Sequence, residues 1–226
     1  MLNIVKSYDY FKPEMCQQRI HIIGCGAVGS TVAENLVRFG LTKITLYDFD
    51  TVESHNIANQ MFRNVDIGKA KVDALAEYLT EINPDVARDL RLEPEGYTDQ
   101  PLTGYVILCV DNIDLRREIA TKNKANPYIK AMFDFRIRMT DAQHYAADWA
   151  DPRQVDALLR TMEFSHEEAK AATPVSACNV ELSVVTTIRT VVAMGVQNMV
   201  EYIRSGGEHI KKLILVDMPT FAIESF

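Results

Sequence analysis

An α/β fold with a mostly parallel sheet is the architecture that the sequence predicts, and three observations carry this prediction. Residues 19–23 form a short β-branched run that ends at Gly24 and is typical of a buried strand. Apolar positions then recur at helical spacing over residues 27–39, and Gly40 follows as a helix terminator. Residues 43–48 resemble a second strand. A strand, tight turn, helix and strand within about 30 residues is the size that a parallel crossover requires.

The remaining segments extend this Rossmann-like pattern. Strands alternating with helices favour a sheet that carries helices on both faces. Two alternating stretches in the C-terminal half predict an antiparallel extension of the sheet. The predicted helices are residues 68–82, 113–124 and 180–203, with helical fragments in 151–172, and the predicted strands are residues 105–110, 128–132, 133–139, 143–149 and 210–216. The long helix is so apolar that it belongs in the core or at a dimer face.

Composition excludes several classes of protein. The 226 residues are 47% apolar and 24% charged, with a formal net charge of -7, which argues against nucleic acid or an anionic membrane as partner. The N-terminus lacks the pattern of a signal peptide, and no apolar stretch reaches the length of a membrane span. The four cysteines are scattered without a Cys-x-x-Cys pair, so we expect no zinc site. A reducing cytoplasm is the expected location.

A glycine loop joins the first predicted strand to its helix. Its glycines are Gly24, Gly26 and Gly29, and this spacing lets a backbone approach phosphate at the positively polarised start of a helix. Asp48 ends the next strand, where a ribose diol is usually held. The alternative is that these glycines serve only a tight turn and helix packing. The sequence thus predicts a nucleotide-binding site.

Two later motifs separate this chain from ordinary dinucleotide dehydrogenases. Residues 48–60 read DFDTVESHNIANQ and are followed by Gly68 and Lys71. Further along, residues 111–116 read DNIDLR. The three ordered motifs resemble the signature of the MoeB/ThiF and ubiquitin-activating enzyme superfamily over residues 19–124, and the rest of the chain is similar only in outline.

The resemblance implies an ATP-dependent adenylyltransferase. Enzymes of this superfamily adenylate the C-terminal carboxylate of a ubiquitin-like or sulfur-carrier protein and release pyrophosphate. By position, Asp50 would hold the ribose hydroxyls while Asp48 supports the loop, and Asn56 and Lys71 would contact the triphosphate as catalytic residues. Asp111 would lie near the α-phosphate, act in catalysis and hold Mg²⁺. The resemblance also implies that Gln60 orients a phosphate oxygen or the adjoining loop.

Each of these residues also has an ordinary structural interpretation. Lys71 could be a solvated lysine on a helix, and Asp50 could be a turn aspartate. Asp111 precedes a predicted helix and could simply cap it.

The match is incomplete at two phosphate-binding arginines. The superfamily has an arginine before Gln60, where this chain has Asn59, which the resemblance still assigns to the nucleotide site. The superfamily also commonly brings an N-terminal arginine across a dimer interface, but this chain has no arginine before Arg19. We hypothesise that Arg63 replaces the first arginine at the nucleotide and that Lys12 replaces the second.

The later part of the chain leaves two questions open. Cys178 precedes the long apolar helix, where a lowered pKa would suit a thioester-forming nucleophile, but a buried cysteine or a remnant of a metal site is the alternative. Arg136 and Arg138 alternate on a predicted strand and could face an incoming acidic tail or solvent. Cys25 and Cys109 are expected to be packing residues.

Three functional classes remain open at this point. The first is adenylation by a single domain over residues 1–226, with a nucleotide-binding half at 17–125 and a substrate, crossover and dimer half at 126–226. Its partner would be a small protein with a glycine-ended tail, and the enzyme would be a homodimer. The second is a catalytically impaired relative that pairs with an active subunit or binds a ubiquitin-like protein. The third is an NAD-dependent oxidoreductase.

Overall fold

The computed structural model describes residues 2–172 and 182–226, and it confirms the α/β prediction. Eight strands form one sheet in the order β3-β2-β1-β4-β5-β6-β7-β8. The strands are β1 (Ile20–Ile23), β2 (Ile44–Tyr47), β3 (Arg91–Glu93), β4 (Gly104–Leu108), β5 (Ile129–Ile137), β6 (Asp141–Asp148), β7 (Leu213–Asp217) and β8 (Ala222–Ser225). Strands β3, β2, β1, β4 and β5 are parallel, and β6, β7 and β8 extend the sheet antiparallel from β5.

Helices cover both faces of the sheet. They are α1 (Val5–Tyr8), α2 (Ala27–Arg38), α3 (Lys71–Ile82), α4 (Ile113–Lys122), α5 (Pro152–Arg160), α6 (His166–Ala172) and α7 (Val185–Arg204). The apolar faces of α2, α3 and α7 share one buried cluster, and those of α4 and α5 share the other with the opposite face of the strands. No helix in the described ranges is long and apolar enough to cross a bilayer.

The structure corrects several predicted boundaries. The two strands predicted at residues 128–132 and 133–139 are one strand, β5, which pairs with β4 along one part of its length and with β6 along most of it. The long helix α7 begins at Val185 rather than at residue 180. The sequence does not predict strands β3 and β8, because both are short and half-buried or exposed and so lack the apolar pattern of a buried strand.

Candidate functional site

A cleft of about 700 Å³ opens where β1, β2 and β4 end. Open α/β sheets usually bind ligands at the carboxyl ends of their strands, at the point where the strand order reverses, because the connections from the two adjacent strands leave to opposite faces of the sheet and open a crevice there. One part of the lining comes from the glycine loop and the residues that follow β2 and β4. The other part, which we call the second lobe, comes from β5 and β6 with the turn between them, from the segment between α5 and α6, and from α6 itself. Its lining includes Arg136, Arg138, Asp141, Gln143, Tyr145, Thr161, Phe164, His166 and Lys170.

The glycine loop is tightly packed on one side and open on the other. Gly24 has a φ of +94°, and a Cβ there would lie 2.8 Å from the backbone of Cys109. A Cβ on Gly29 would lie 1.8 Å from the carbonyl oxygen of Gly24. Gly26 precedes the first turn of α2, and a Cβ there would meet nothing within 4 Å. Two glycines therefore permit the turn, and Gly26 leaves space for a ligand beside the start of α2.

Asp48 stabilises this loop from the end of β2. Its carboxylate accepts hydrogen bonds from the backbone N–H of Cys25 at 2.6 Å and of Asp50 at 2.9 Å. Burial raises the pKa of Asp48, and the nearby Lys71 ammonium and the two backbone N–H groups oppose that shift. The side chain is thus held by the backbone of both segments that it joins.

Asp50 and Lys71 form an ion pair at the cleft. The Lys71 ammonium donates to the Asp50 carboxylate at 2.7 Å, and the Lys71 backbone N–H donates to the Asp50 carbonyl at 2.9 Å. The Lys71 side chain is only 9% exposed, whereas that of Asp50 is 51% exposed. Lys71 is therefore not a solvated lysine. Its charge lies against the wall of the cleft, where an anionic ligand could approach it.

Asp111 lies exposed at the cleft directly beyond β4. The neighbouring Asn112 is the N-cap of α4, and its side chain accepts from the backbone N–H groups of Asp114 and Leu115. The capping alternative for Asp111 is therefore wrong, because Asn112 already performs that task.

Asn56, Asn59 and Gln60 have different surroundings. The Asn56 side-chain oxygen is buried and accepts from the Glu53 backbone N–H at 2.8 Å, so this residue stabilises a 3₁₀ turn and does not line the cleft. Asn59 donates to the Ser183 hydroxyl at 2.6 Å, and its own side-chain oxygen is buried with no hydrogen-bond partner among residues 2–172 and 182–226. Gln60 lines the cleft, and its side-chain oxygen is buried and likewise has no partner in those ranges.

Arg63 points away from the cleft, toward α3. Its guanidinium donates to Asp66 at 3.0 Å and to Glu81 at 2.7 Å, and Glu77 lies 4.0 Å away. These carboxylates raise the pKa of Arg63 above its usual range. Three acidic neighbours thus occupy the side chain that we expected to replace a phosphate-binding arginine. Lys12, which we expected to replace the second arginine, lies 5.6 Å from the centre of the Tyr8 ring.

The cysteine of the glycine loop, Cys25, and the one that follows β4, Cys109, are not activated. Cys25 is fully buried, and burial raises the pKa of its thiol well above the usual value. Burial also raises the pKa of Cys109 to about 12. Both therefore remain neutral thiols, as packing residues do. Cys178, the candidate nucleophile, lies outside the described residues.

Sequence reasoning missed a charged cluster between the two parts of the cleft. Asp134 on β5 is fully buried and pairs with both Arg116 of α4 and Arg136 of β5. Arg116 also donates to the carbonyl oxygens of Val110 at 2.7 Å and Phe135 at 2.6 Å. The only sequence signals were the arginine of the third motif and the alternation of charged residues along β5.

The chain shares part of its length with curated ubiquitin-like modifier-activating enzymes. It is 33% identical over 134 residues to ubiquitin-like modifier-activating enzyme 5 of Dictyostelium discoideum, which covers 52% of this chain and 34% of that protein. The corresponding enzyme of Arabidopsis thaliana is 41% identical over 85 residues, or 38% of this chain and 19% of that protein. The chain therefore spans about a third or less of these relatives.

Solved structures share the fold. A selenomethionine form of PaaA has a TM-score of 0.69 at 17% identity and covers 95% of this chain and 65% of that one. Escherichia coli MccB, crystallised with ATP, has a TM-score of 0.68 at 15% identity and covers 95% and 64%. The same enzyme with MccA has a TM-score of 0.72 at 15% identity and covers 95% and 65%. A sequence profile of the ThiF family matches residues 12–226, and the chain accordingly belongs to the ThiF family.

Proposed function

We propose that this chain uses ATP to adenylate the C-terminal carboxylate of a ubiquitin-like or sulfur-carrier protein, or of a peptide, and releases pyrophosphate. The observation that carries this proposal is the convergence of the open glycine loop, the Asp50–Lys71 pair and Asp111 on one cleft. Relatives named as ubiquitin-like modifier-activating enzymes, and a neighbour crystallised with ATP and with MccA, support it.

The residues suit the charges of this reaction. A carboxylate oxygen would attack the α-phosphorus while the bond from that phosphorus to the bridging oxygen breaks, and pyrophosphate would carry the electron pair away. Lys71 supplies a positive charge for the phosphates, and the exposed Asp50 carboxylate can accept hydrogen bonds from ribose hydroxyls. The glycine loop admits the phosphates beside the start of α2.

Mg²⁺ fits this arrangement as a partner of the nucleotide. The Asp111 carboxylate is exposed to the cleft and offers hard oxygen ligands. Among residues 2–172 and 182–226 there is no cluster of three metal-ligating side chains, so the ion would take its other ligands from phosphate oxygens and water. Bound there, it would neutralise charge that develops on the phosphates.

A catalytically impaired relative is the second candidate. Asn59 stands where the superfamily has an arginine and is bonded to Ser183, while Arg63 is held by acidic neighbours. Neither residue supplies a free cation for the leaving pyrophosphate. Such a protein would bind ATP or a ubiquitin-like partner without turnover.

Nucleotide binding is tested first, because it separates both ATP-binding candidates from an NAD-dependent oxidoreductase. Isothermal titration with ATP and Mg²⁺ should show binding that is at least about tenfold weaker in Lys71→Ala, because a nearly buried charge–phosphate contact is lost. Lys69→Ala is the matched control: that lysine pairs with Asp66 and Glu77 and does not line the cleft. Tighter binding of NAD than of ATP would favour the oxidoreductase instead and contradict the proposal.

Pyrophosphate exchange then tests turnover. With a ubiquitin-like protein ending in Gly-Gly, exchange above background would support adenylation. ATP binding without exchange would support the impaired relative. A homodimer is part of the same proposal and is checked by the mass of the native protein, whereas the cytoplasmic location stays a prediction.

A further inference from the structure

We propose that Arg136 determines acceptor specificity by binding a carboxylate in the tail of the acceptor. This inference rests on the proposed function for one point only, namely that the bound molecule is the acceptor of the adenylyl group. The ligand itself is defined by the charge, burial and geometry around Arg136 in the second lobe of the cleft. A tail made only of glycine would offer this residue nothing but its terminal carboxylate.

The cluster of Arg116, Asp134 and Arg136 has an unbalanced positive charge. Asp134 is fully buried, and the side chains of Arg116 and Arg136 are only 7% and 15% exposed. Within residues 2–172 and 182–226, two guanidinium groups therefore share one carboxylate in a place that is largely shielded from water. Buried charges are normally paired, so the cluster is electrostatically incomplete without a further anion.

Arg116 is not the residue that would bind this anion. Its guanidinium is directed at Asp134 and at the carbonyl oxygens of Val110 and Phe135. These contacts tie the loop that carries Asp111 to strand β5. Arg116 is therefore occupied in holding the backbone together, and the unbalanced charge is located at Arg136.

Arg136 is held in one orientation while still facing the cleft. It donates to Asp134 at 2.7 Å, to the Thr161 carbonyl at 2.7 Å and to the Thr161 hydroxyl at 2.8 Å. Its guanidinium carbon lies 4.5 Å from the centre of the Tyr145 ring and 5.9 Å from that of Phe164. Within the described part of the chain, these contacts use three of the five N–H donors of the guanidinium. The side chain is thus preorganised for a planar anion.

The rest of the second lobe has the same sign of charge. Arg138 and Lys170 line it, and Asp141, which lies 3.7 Å from Arg138, is its one carboxylate among the described residues. The whole chain, in contrast, has a net charge of -7. A positive lobe on an acidic protein favours an anionic segment over other tails. Phosphate groups of the nucleotide are the competing anion, and the test must distinguish them.

The experiment measures peptide binding without nucleotide, so its result does not depend on adenylation. Isothermal titration compares Gly-Gly-Asp-Gly-Gly with Gly-Gly-Asn-Gly-Gly, each with a free C-terminus and as the C-terminal amide. We expect the aspartate peptide to bind about tenfold more tightly than the asparagine peptide to the wild-type protein, with the C-terminus free or amidated, as charge-assisted hydrogen bonds do. The ratio of the two dissociation constants should fall to about one in Arg136→Gln. It should be only partly restored in Arg136→Lys, because an ammonium group lacks the planar, two-pronged donor geometry of a guanidinium.

Arg153→Gln is the matched control, because it removes the same charge from an exposed helix residue that does not line the cleft, and it should keep the tenfold preference. Both peptides are titrated into the same variant, so the ratio of their dissociation constants is not changed when a fraction of that sample is unfolded. If Arg136→Gln does not fold, Arg136→Lys carries the test alone. Equal binding of the aspartate and asparagine peptides (even where a free C-terminus tightens both), an unchanged preference in the Arg136 variants, or a loss of ATP binding instead of peptide binding would overturn the proposal.

Discussion

Gly24 and Gly26 lie two positions apart in the glycine loop but meet different constraints. Gly24 combines a φ of +94° with backbone atoms 2.8 Å from where a Cβ would be, while Gly26 has open space on the side of the cleft. The fold therefore requires the first glycine, whereas the second leaves the space that our proposal assigns to a ligand. The two can be separated by experiment because each substitution should change a different measured quantity.

Gly24→Ala should lower the free energy of unfolding by at least about 1–3 kcal/mol, since alanine at positive φ is strained and the added carbon collides with the backbone of Cys109. Gly26→Ala should change stability by no more than about 0.5 kcal/mol. It should instead weaken ATP binding by about tenfold, because its methyl group occupies the path of the phosphates. Urea denaturation and isothermal titration measure the two effects. A destabilised Gly26→Ala with unchanged ATP binding would contradict this division.

Helix α7 is the element that covers the antiparallel part of the sheet. It packs on α2 and across β5, β6 and β7. Gly195 faces the sheet, where a Cβ would lie 2.2 Å from the Phe135 ring and 2.9 Å from the His144 ring. The long apolar pattern therefore belongs to a core helix, and this helix can lie close to the sheet because residue 195 is a glycine.

Gly195→Ala tests this approach. Alanine favours helices by about 0.5–1 kcal/mol over glycine, but overpacking against two rings costs about 1–3 kcal/mol. We expect overpacking to dominate, so urea denaturation should show a net loss of stability. Ala193→Ser, on the exposed face of the same helix, should stay within about 0.5 kcal/mol. A Gly195→Ala protein that is more stable than wild type would show that α7 can move away from the sheet.

At the scale of the whole molecule, buried histidines make stability depend on pH. Burial lowers the pKa of His144 to about 3 and that of His21 to about 4. His144 lies between Phe133 and Phe135 under α7, and His21 lies in β1 with Nδ1 2.8 Å from the Tyr47 hydroxyl. Both side chains are therefore neutral in the folded protein at pH values where the unfolded chain binds protons.

Because the unfolded chain binds more protons below pH 6.5, stability should fall as the pH decreases from about 6.5 toward 4, by up to about 1.4 kcal/mol per pH unit for each histidine. Denaturation at pH 7, 6 and 5 measures the slope. His144→Gln should reduce it, whereas His209→Gln, at an exposed position, should not. An unchanged slope in His144→Gln would show that other groups cause the acid sensitivity.

The fold class and the position of the candidate nucleotide site can both be predicted from the amino-acid sequence alone. The glycine loop, the turn after β2 and the start of α3 are local units, and their turn residues and apolar spacing are visible without knowledge of distant contacts. The carboxyl ends of parallel strands then bring Gly26, Asp50 and Asp111 to one cleft.

Which charges a ligand can reach in that cleft depends on contacts between residues that are far apart in the chain. Arg63 is held by Asp66 and by two glutamates from a later helix, and Arg136 pairs with Asp134 but is also held by Thr161, 25 residues along the chain. The glutamates and Thr161 are brought to these arginines by the packing of α3 and α5, and that packing is not encoded in local spacing. An arginine in the sequence therefore shows that a charge exists, while burial and distant neighbours determine whether a ligand can use it.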